Sequence, residues 1–375
     1  MAALDLLSGD AQAFLDKVWA SRVHLHHTEP DDLVGLLSLD DVDHLLTSVA
    51  LRTPALRLAK DGSVIPAATY TRSASIAGSP LTGLVDARKV LALFEDGATV
   101  VLQGLHRYWP PLTRLVRDLE LALGHPCQAN AYLTPPGSQG FARHSDSHDV
   151  FVFQTHGRKH WEVVEDGAEH QVVLEPGLSM YLPTGTPHSA RSQDATSLHV
   201  TLGINRLTWR DVLRRVTDRL LADERYDGPL PAGYLQEPAR LTGRLAEELA
   251  ALTSGLGQVQ AEAVVDERST AFLRERNPVL RGGLTDLVAL DGLDDGTLLE
   301  RRPTAACVLR PGPERLTVLL GDRELRMPLR LLGPMELVRD SESFRVADLS
   351  PWLDEQSRLV VARRLVREGL LRIMT

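Results

Sequence analysis

His144-Ser145-Asp146 and, well downstream, the His188 that closes Tyr181-Leu182-Pro183-Thr184-Gly185-Thr186-Pro187-His188 are residues whose types and spacing can do chemistry. Two imidazoles and one carboxylate on one face of a metal ion leave three coordination positions open. Non-haem Fe(II) oxygenases use that arrangement to hold a co-substrate and O2. A bare His-x-Asp pair is more often an exposed turn or a capping feature. The Pro183 to Pro187 turn adds what the pair lacks, because it aims a distal imidazole inward.

The elements around these residues must bring them together. If residues 141–153 are extended, positions i and i+2 project to one side, so His144 and Asp146 reach one ion together. Asp149-Val150-Phe151-Val152-Phe153-Gln154 has the β-branched and aromatic make-up of a buried strand. Gly157 marks a turn, and Lys159-His160-Trp161-Glu162-Val163-Val164 reads as the returning antiparallel strand. Short strands joined by such turns predict a double-sheet barrel or jelly roll whose mouth holds a ligand. Lys159 falls on a strand expected to be buried, where an ammonium costs free energy unless an anion meets it. Either a carboxylate of the protein supplies that anion, or the distal carboxylate of 2-oxoglutarate does.

The run Asn130-Ala131-Tyr132-Leu133-Thr134-Pro135-Pro136-Gly137-Ser138-Gln139-Gly140-Phe141, followed by His144-x-Asp146, Asp149-Val150-Phe151, Gln154, Gly157-Arg158-Lys159-His160-Trp161 and Pro187-His188, resembles the cupin-fold JmjC-type ribosomal-protein oxygenases. The resemblance runs over residues 20 to 205 with specific motifs, and beyond them as domain order. It implies an α+β protein: a double-stranded β-helix (jelly-roll, cupin JmjC) catalytic domain with N-terminal helices over 1–206, a helical dimerisation domain over 207–290, and a winged-helix-like domain over 291–375. It places the iron ligands on His144, Asp146 and His188, and the partner of the 2-oxoglutarate C5 carboxylate on Lys159. Asn130 and Tyr132, two apart on one strand face, match positions near co-substrate and substrate. Ordinary polar satisfaction inside a barrel accounts for them equally well. His199 is expected to be structural, since one triad is already complete. Gly203 stands where some relatives carry a small polar residue against the substrate, which leaves the target residue open.

The activity implied is an Fe(II)-, 2-oxoglutarate- and O2-dependent hydroxylation of a C–H bond in a protein side chain, on histidine or arginine of a ribosomal protein, with succinate and CO2 released. Two alternatives stand beside it. One is the same chemistry turned on a peptide natural product or on methyl-lysine; the other is a non-enzymatic winged-helix regulator whose cupin senses a metal or metabolite.

Composition agrees with a soluble globular protein of two or three domains: 375 residues, 43% hydrophobic and 24% charged. No run approaches a transmembrane span and the opening residues lack the basic start of a secretory signal, so cytoplasm is the expected location. Cys127 and Cys307 alone argue against a disulfide framework or a structural zinc site. A net charge of −9 disfavours general nucleic-acid binding; it suits a basic protein partner, or simply solubility. Before the barrel, residues 10–15 open a helix, Leu33 to Leu46 has a helix-like period, Thr99 to Leu102 reads as a strand and Pro110 to Leu123 as an amphipathic helix. His24, His26 and His27 precede a Glu-Pro turn and are not read as a metal site. After Asn205, Trp209, Val212, Leu213, Val216, Leu220 and Leu221 keep helical spacing, continued by Leu241, Leu245, Leu249 and Leu252; in the resembling enzymes this region dimerises, and a homodimer is expected. Strands at Ala305 to Leu309 and Leu316 to Leu320, a Gly321-Asp322 turn and a helix over Glu355 to Glu368 fit a winged helix. Its Arg358, Arg363, Arg364 and Arg367 are diluted by nearby Asp340, Glu342, Asp348, Asp354 and Glu355, which makes nucleic acid an unexpected partner.

Overall fold

A computed structural model of the protein describes residues 2–138, 143–191 and 195–374. It divides into two compact units, Met1–Arg206 and Leu207–Thr375.

The strands of the first unit are β1 His24–His27, β2 Leu56–Lys60, β3 Ser63–Val64, β4 Thr71–Ile76, β5 Ser79–Val85, β6 Thr99–Leu102, β7 Cys127–Thr134, β8 Asp149–His156, β9 Lys159–Glu165, β10 Ala168–Leu174, β11 Leu178–Leu182, β12 His188–Arg191 and β13 Ser197–Ile204. Among the described residues they form a large sheet in the order β1-β11-β8-β13-β7-β6-β2-β3, a smaller sheet β10-β9-β12, and a hairpin β4-β5. Neighbouring strands in the two larger sheets run antiparallel, the jelly-roll arrangement of a cupin.

The period-two rule explains what each strand faces. On β7, Cys127, Ala129, Ala131 and Leu133 join the main apolar core, while Gln128, Asn130 and Tyr132 line a cavity between the sheets. β13 repeats the pattern, with Leu198, Val200, Leu202 and Ile204 in the core and His199 and Thr201 at the cavity. β8 is buried on both faces: Phe151 and Phe153 pack in the main core, and Val150 and Val152 pack with Trp161, Val163 and Met180. Its nearly unbroken apolar run follows from that double burial. The helix Pro110–Leu123 closes the outer side, burying Leu112, Leu115, Val116 and Leu119 at the expected helical spacing.

Two sequence expectations change. β9 does not return alongside β8: both edges of β8 are hydrogen-bonded already, to β11 and to β13, and β9 pairs with β10 and β12 in the other sheet. Gly157 makes that departure possible. Its φ is +62°, and a Cβ there would stand 2.0 Å from the Thr196 carbonyl oxygen. Residues 33–46 form two helices rather than one, Pro30–Val34 and Leu39–Thr47, because Ser38 and Asp41 make a reciprocal capping box that starts the second.

The second unit contains the helices Trp209–Leu221, Ala239–Gly257, Ala261–Arg274 and Gly283–Ala289, followed by strands β14 Leu298–Arg301, β15 Val308–Pro311, β16 Arg315–Leu319, β17 Glu324–Pro328, β18 Ser343–Arg345 and β19 Leu371–Ile373. The strands form two small sheets, β18-β14-β19 and β15-β16-β17. Helices Leu332–Asp340 and Glu355–Arg367 share their core, with Met335, Val338, Ala362 and Leu365 buried beside Leu299 and Leu316. Gly321 turns β16 into β17 at φ +83°. Of the expected strand at Ala305 to Leu309, only the end lies in β15.

Gly157→Ala should cost about 2 kcal/mol or more of stability in denaturant unfolding, since it adds left-handed strain to a backbone clash. An unchanged midpoint would contradict the described turn.

Candidate metal centre

His144 and His188 are joined through their backbones. The His144 N–H donates to the His188 carbonyl at 3.0 Å and the His188 N–H donates back to the His144 carbonyl at 2.8 Å. This single antiparallel bridge replaces the continuous extended run expected over 141–153; regular strand begins at Asp149. Residues 139–142, which include Gln139, Gly140 and Phe141 of the family-like run, lie outside the described residues. Asp146 is tied to the same turn, its carbonyl accepting from the Gly185 N–H at 3.0 Å.

The side chains converge as a result. One ligand atom from each of His144, Asp146 and His188 lies within 4.8 Å of the others, with 3.9 Å from His144 Nε2 to Asp146 Oδ1 and 3.7 Å from His188 Nε2 to Asp146 Oδ2. His188 Nδ1 lies 2.9 Å from the Thr186 carbonyl. A carbonyl only accepts, so Nδ1 carries the proton and Nε2 keeps its lone pair for a metal. Burial holds the His188 imidazole below its ordinary pKa, which favours that neutral form.

Behind His188 the turn is anchored by the fully buried Asp149. Its carboxylate accepts from the Tyr181 hydroxyl at 2.5 Å and from the Thr184 N–H and hydroxyl at 2.7 and 2.6 Å, and it pairs with Arg206 Nε at 3.2 Å. Outside the small sheet, Glu162 accepts from Arg143, Arg191 and Ser189, so the residue beside His144 is roped to β9 and β12.

The cavity beside the triad has a volume of about 500 Å³. His144, Asp146, His188, Lys159, Asn130, Tyr132 and His199 all line it, together with Arg57, His148, Val150, Val152 and Trp161. Lys159 is 3% exposed and its Nζ donates to Thr134 Oγ1 at 3.2 Å. Among the described residues no carboxylate lies within ion-pair distance of it. Desolvation alone lowers its pKa to about 7. The anion that such an ammonium calls for is therefore not supplied by a neighbouring side chain among the described residues.

Asn130 Oδ1 accepts from the Gly104 N–H at 3.0 Å, a structural duty that leaves its amide nitrogen for other partners at the cavity wall. Tyr132 stacks on His199, ring centroids 4.9 Å apart and planes 5° from parallel, and burial raises its pKa. His199 is buried, faces Trp161 edge-on, and does not belong to the group of metal-capable atoms. Gln154 is absorbed in backbone and Ser197 contacts. His24, His26 and His27 lie on β1 and form no metal-capable group among the described residues. Sequence reasoning missed Arg57, Thr134 and His148. Arg57 alternates with the buried Leu56 and Leu58, and Thr134 is two beyond Tyr132, so period two could have found both.

Similarity to known proteins agrees with this geometry. The JmjC domain family matches residues 110–171 and 164–212. The chain is 33% identical over 203 residues to a bifunctional lysine-specific demethylase and histidyl-hydroxylase NO66 of Branchiostoma floridae, covering 49% of this chain and 33% of that protein. It is 28% identical over 224 residues to ribosomal oxygenase 1 of Danio rerio (50% and 41%), and 26% identical over 321 residues to ribosomal oxygenase 2 of Bos taurus (71% and 70%). The chain thus spans well under two thirds of the first two relatives. Among solved structures, the Escherichia coli ribosomal oxygenase YcfD in complex with cobalt and succinic acid superposes with a TM-score of 0.56 at 18% identity, over 97% of this chain and 98% of that one. That likeness establishes the fold, and the sequence matches bear out the family resemblance.

Lys159→Met should stabilise the ligand-free protein by about 1 kcal/mol or more at pH 7. Between a folded pKa of about 7 and the ordinary value of 10.5, the unfolded protein holds more protons, so the lysine's contribution to stability rises with pH across that window. The gain from Lys159→Met should therefore be largest at and below pH 7 and shrink towards 10.5; a pH-independent difference in denaturant unfolding would refute the burial argument.

Proposed function

We propose, with residues 110–212 forming a JmjC domain, that this protein is an Fe(II)- and 2-oxoglutarate-dependent oxygenase that hydroxylates a C–H bond in a protein side chain, histidine or arginine in a ribosomal protein. The observation that carries this reading is the convergence of His144, Asp146 and His188 in one cavity with a buried lysine that has no carboxylate partner among the described residues. Two imidazoles and a carboxylate suit ferrous iron, and their number leaves room for a bidentate keto acid and O2. Iron bound there would supply O2 activation coupled to decarboxylation of the keto acid. The protein's own part is positional. Lys159 takes the far carboxylate of 2-oxoglutarate through a charge-assisted bond, His188 is held by Thr186 in the tautomer that binds, and Val150, Val152 and Trp161 give the cavity apolar walls that keep water out.

The ribosomal target is inferred from the names of the relatives and agrees with the net charge of −9, which favours basic partners. The arginines of the helix Glu355–Arg367 argue against a nucleic-acid role: Arg358 pairs with Asp295, Arg363 donates to the Leu293 carbonyl, and Arg364 pairs with Glu368. We read residues 291–375 as a winged-helix-like domain with a structural or protein-contact role. Residues 207–290 would be the dimerisation domain of a homodimer, since Trp209 is 81% and Leu213 58% exposed. A cytoplasmic setting belongs to the same proposal; among the described residues no helix is long and apolar enough to cross a membrane, and the two cysteines are not in a disulfide.

Incubation with iron, 2-oxoglutarate and ribosomal protein should yield succinate together with a mass gain of one oxygen on the target. Asp146→Ala should lower that turnover by more than about 100-fold, beyond the loss typical of residues behind a metal ligand, while the fold persists. Wild-type turnover in that variant would remove the site, and formaldehyde release would redirect the chemistry to demethylation. Replacing Trp209 and Leu213 together by Asp should convert a dimer to a monomer in light scattering; a wild-type mass for the variant would move the interface elsewhere.

A further inference from the structure

The run of chain that carries two of the triad residues has a third imidazole on the same side. His144, Asp146, His148, Val150 and Val152 all line the cavity, as alternate residues of an extended chain do when they share a face. His148 stands two residues beyond Asp146, yet it lies outside the group of metal-capable atoms.

A glycine makes its seat. Gly203 on β13 lies opposite Val150 on β8 and opposite Gln128 on β7, within a strand hydrogen-bonded on both sides. Its backbone is not in the left-handed region, so conformation does not call for glycine there. Space does: a Cβ would stand 2.8 Å from His148 Nε2, 2.9 Å from His148 Cδ2 and 3.2 Å from Gln128 Nε2. Glycine inside a strand gives up packing and marks a close approach. Here the imidazole edge makes that approach, with the Gln128 carboxamide beside it. Among the described residues neither side chain has a hydrogen-bond partner.

Register separates this seat from the co-substrate's anchor. Lys159 donates to Thr134, which lies opposite Ser197, and Gly203 is six residues further along β13, roughly 20 Å at the rise of an extended chain. A five-carbon diacid held at Lys159 is too short to reach it, so the imidazole and the carboxamide face whatever else enters the cavity. The charges of the wall constrain what that is. Arg57, Arg143 and Lys159 are cationic, and the one carboxylate among the described lining residues is Asp146, already committed to the proposed metal. A guanidinium would bring donors alone and a charge that meets no free carboxylate. A neutral imidazole side chain brings one donor and one acceptor, which the imidazole of His148 and the carboxamide of Gln128 can both answer.

We infer that His148, seated on Gly203 and flanked by Gln128, is a specificity-determining residue that hydrogen-bonds the substrate side chain and selects an imidazole over a guanidinium. The inference rests on the function proposed above and narrows its target.

The test gives the full-length protein Fe(II), 2-oxoglutarate and the protein fraction stripped from ribosomes of cells that lack it, with mass spectrometry locating the added oxygen. The wild type should modify a histidine, and a synthetic peptide of that sequence should lose turnover when arginine replaces the target. His148→Ala should raise KM for the histidine peptide about fivefold, the loss of one hydrogen bond, with a smaller change in kcat, and His148→Gln should recover part of the loss. Gly203→Ala should act like His148→Ala by displacing the ring, and the double variant should be no worse than either, since the methyl then has nothing to displace. Oxygen on arginine overturns the inference, as does a wild-type KM in His148→Ala or additivity of the two substitutions. Should Gly203→Ala not fold, His148→Ala and His148→Gln decide between the same outcomes. Anaerobic calorimetric titration of 2-oxoglutarate into the Mn(II)-loaded wild type separates the two levels. If the wild type binds the keto acid and oxidises ribosomal protein while His148→Ala keeps the wild-type KM, only this inference fails. If it binds no keto acid or oxidises no ribosomal protein, the proposed function fails and takes the inference with it.

Discussion

Two backbone hydrogen bonds between His144 and His188 are the constraint on which the rest of the centre depends. Residues distant in sequence are locked at one register, and the side chains they carry have little choice but to meet. The bonds cost no side-chain functionality, so both imidazoles remain available. Asp149 completes the arrangement from below: a carboxylate buried with four donors around it keeps the Pro183 to Pro187 turn in place, and that turn delivers His188. A buried charge with so many partners is costly to disturb, so the geometry of the candidate ligands is fixed by atoms outside the triad.

The same logic separates what could be read in the sequence from what could not. The apolar run of β8 was visible because the strand's surroundings are written into its own side chains; of β7 only the shared face of Asn130 and Tyr132 was read. The helix Pro110–Leu123 was visible for the corresponding reason at its own period. The pairing partners were not. Lys159 to Val164 looks like a strand in either sheet, and only the occupied edges of β8 send it to β10 and β12. The triad was legible since its residue types are rare in combination. Period two could have put Arg57 on the cavity face of its strand, but its nearness to Val101 and Tyr132 arises only through the sheet register.

The second unit shows how charge can mislead a reading. Four arginines on one helix suggest a surface for an anionic polymer, yet three of them already have acceptors within the unit. Arg302 and Asp286 go further and bury an ion pair, with Asp286 also accepting the Ile373 N–H. Such pairs contribute little net stability but penalise any packing that separates them, which favours one arrangement of the small sheets. The exposed apolar residues of the helix Trp209–Leu221 have no such internal explanation.

The three candidate ligand side chains differ in how far they face water: His188 is 7% exposed, Asp146 30% and His144 42%. An ion held among them would have a walled back and an open front, so its exchange with solvent runs past His144. Chelators would reach it from that side, and His144 would be the first bond to yield. Under the proposed reading, the occupied fraction of such a centre would follow the surrounding supply of metal, which would make iron availability itself a control on how much of the protein can work.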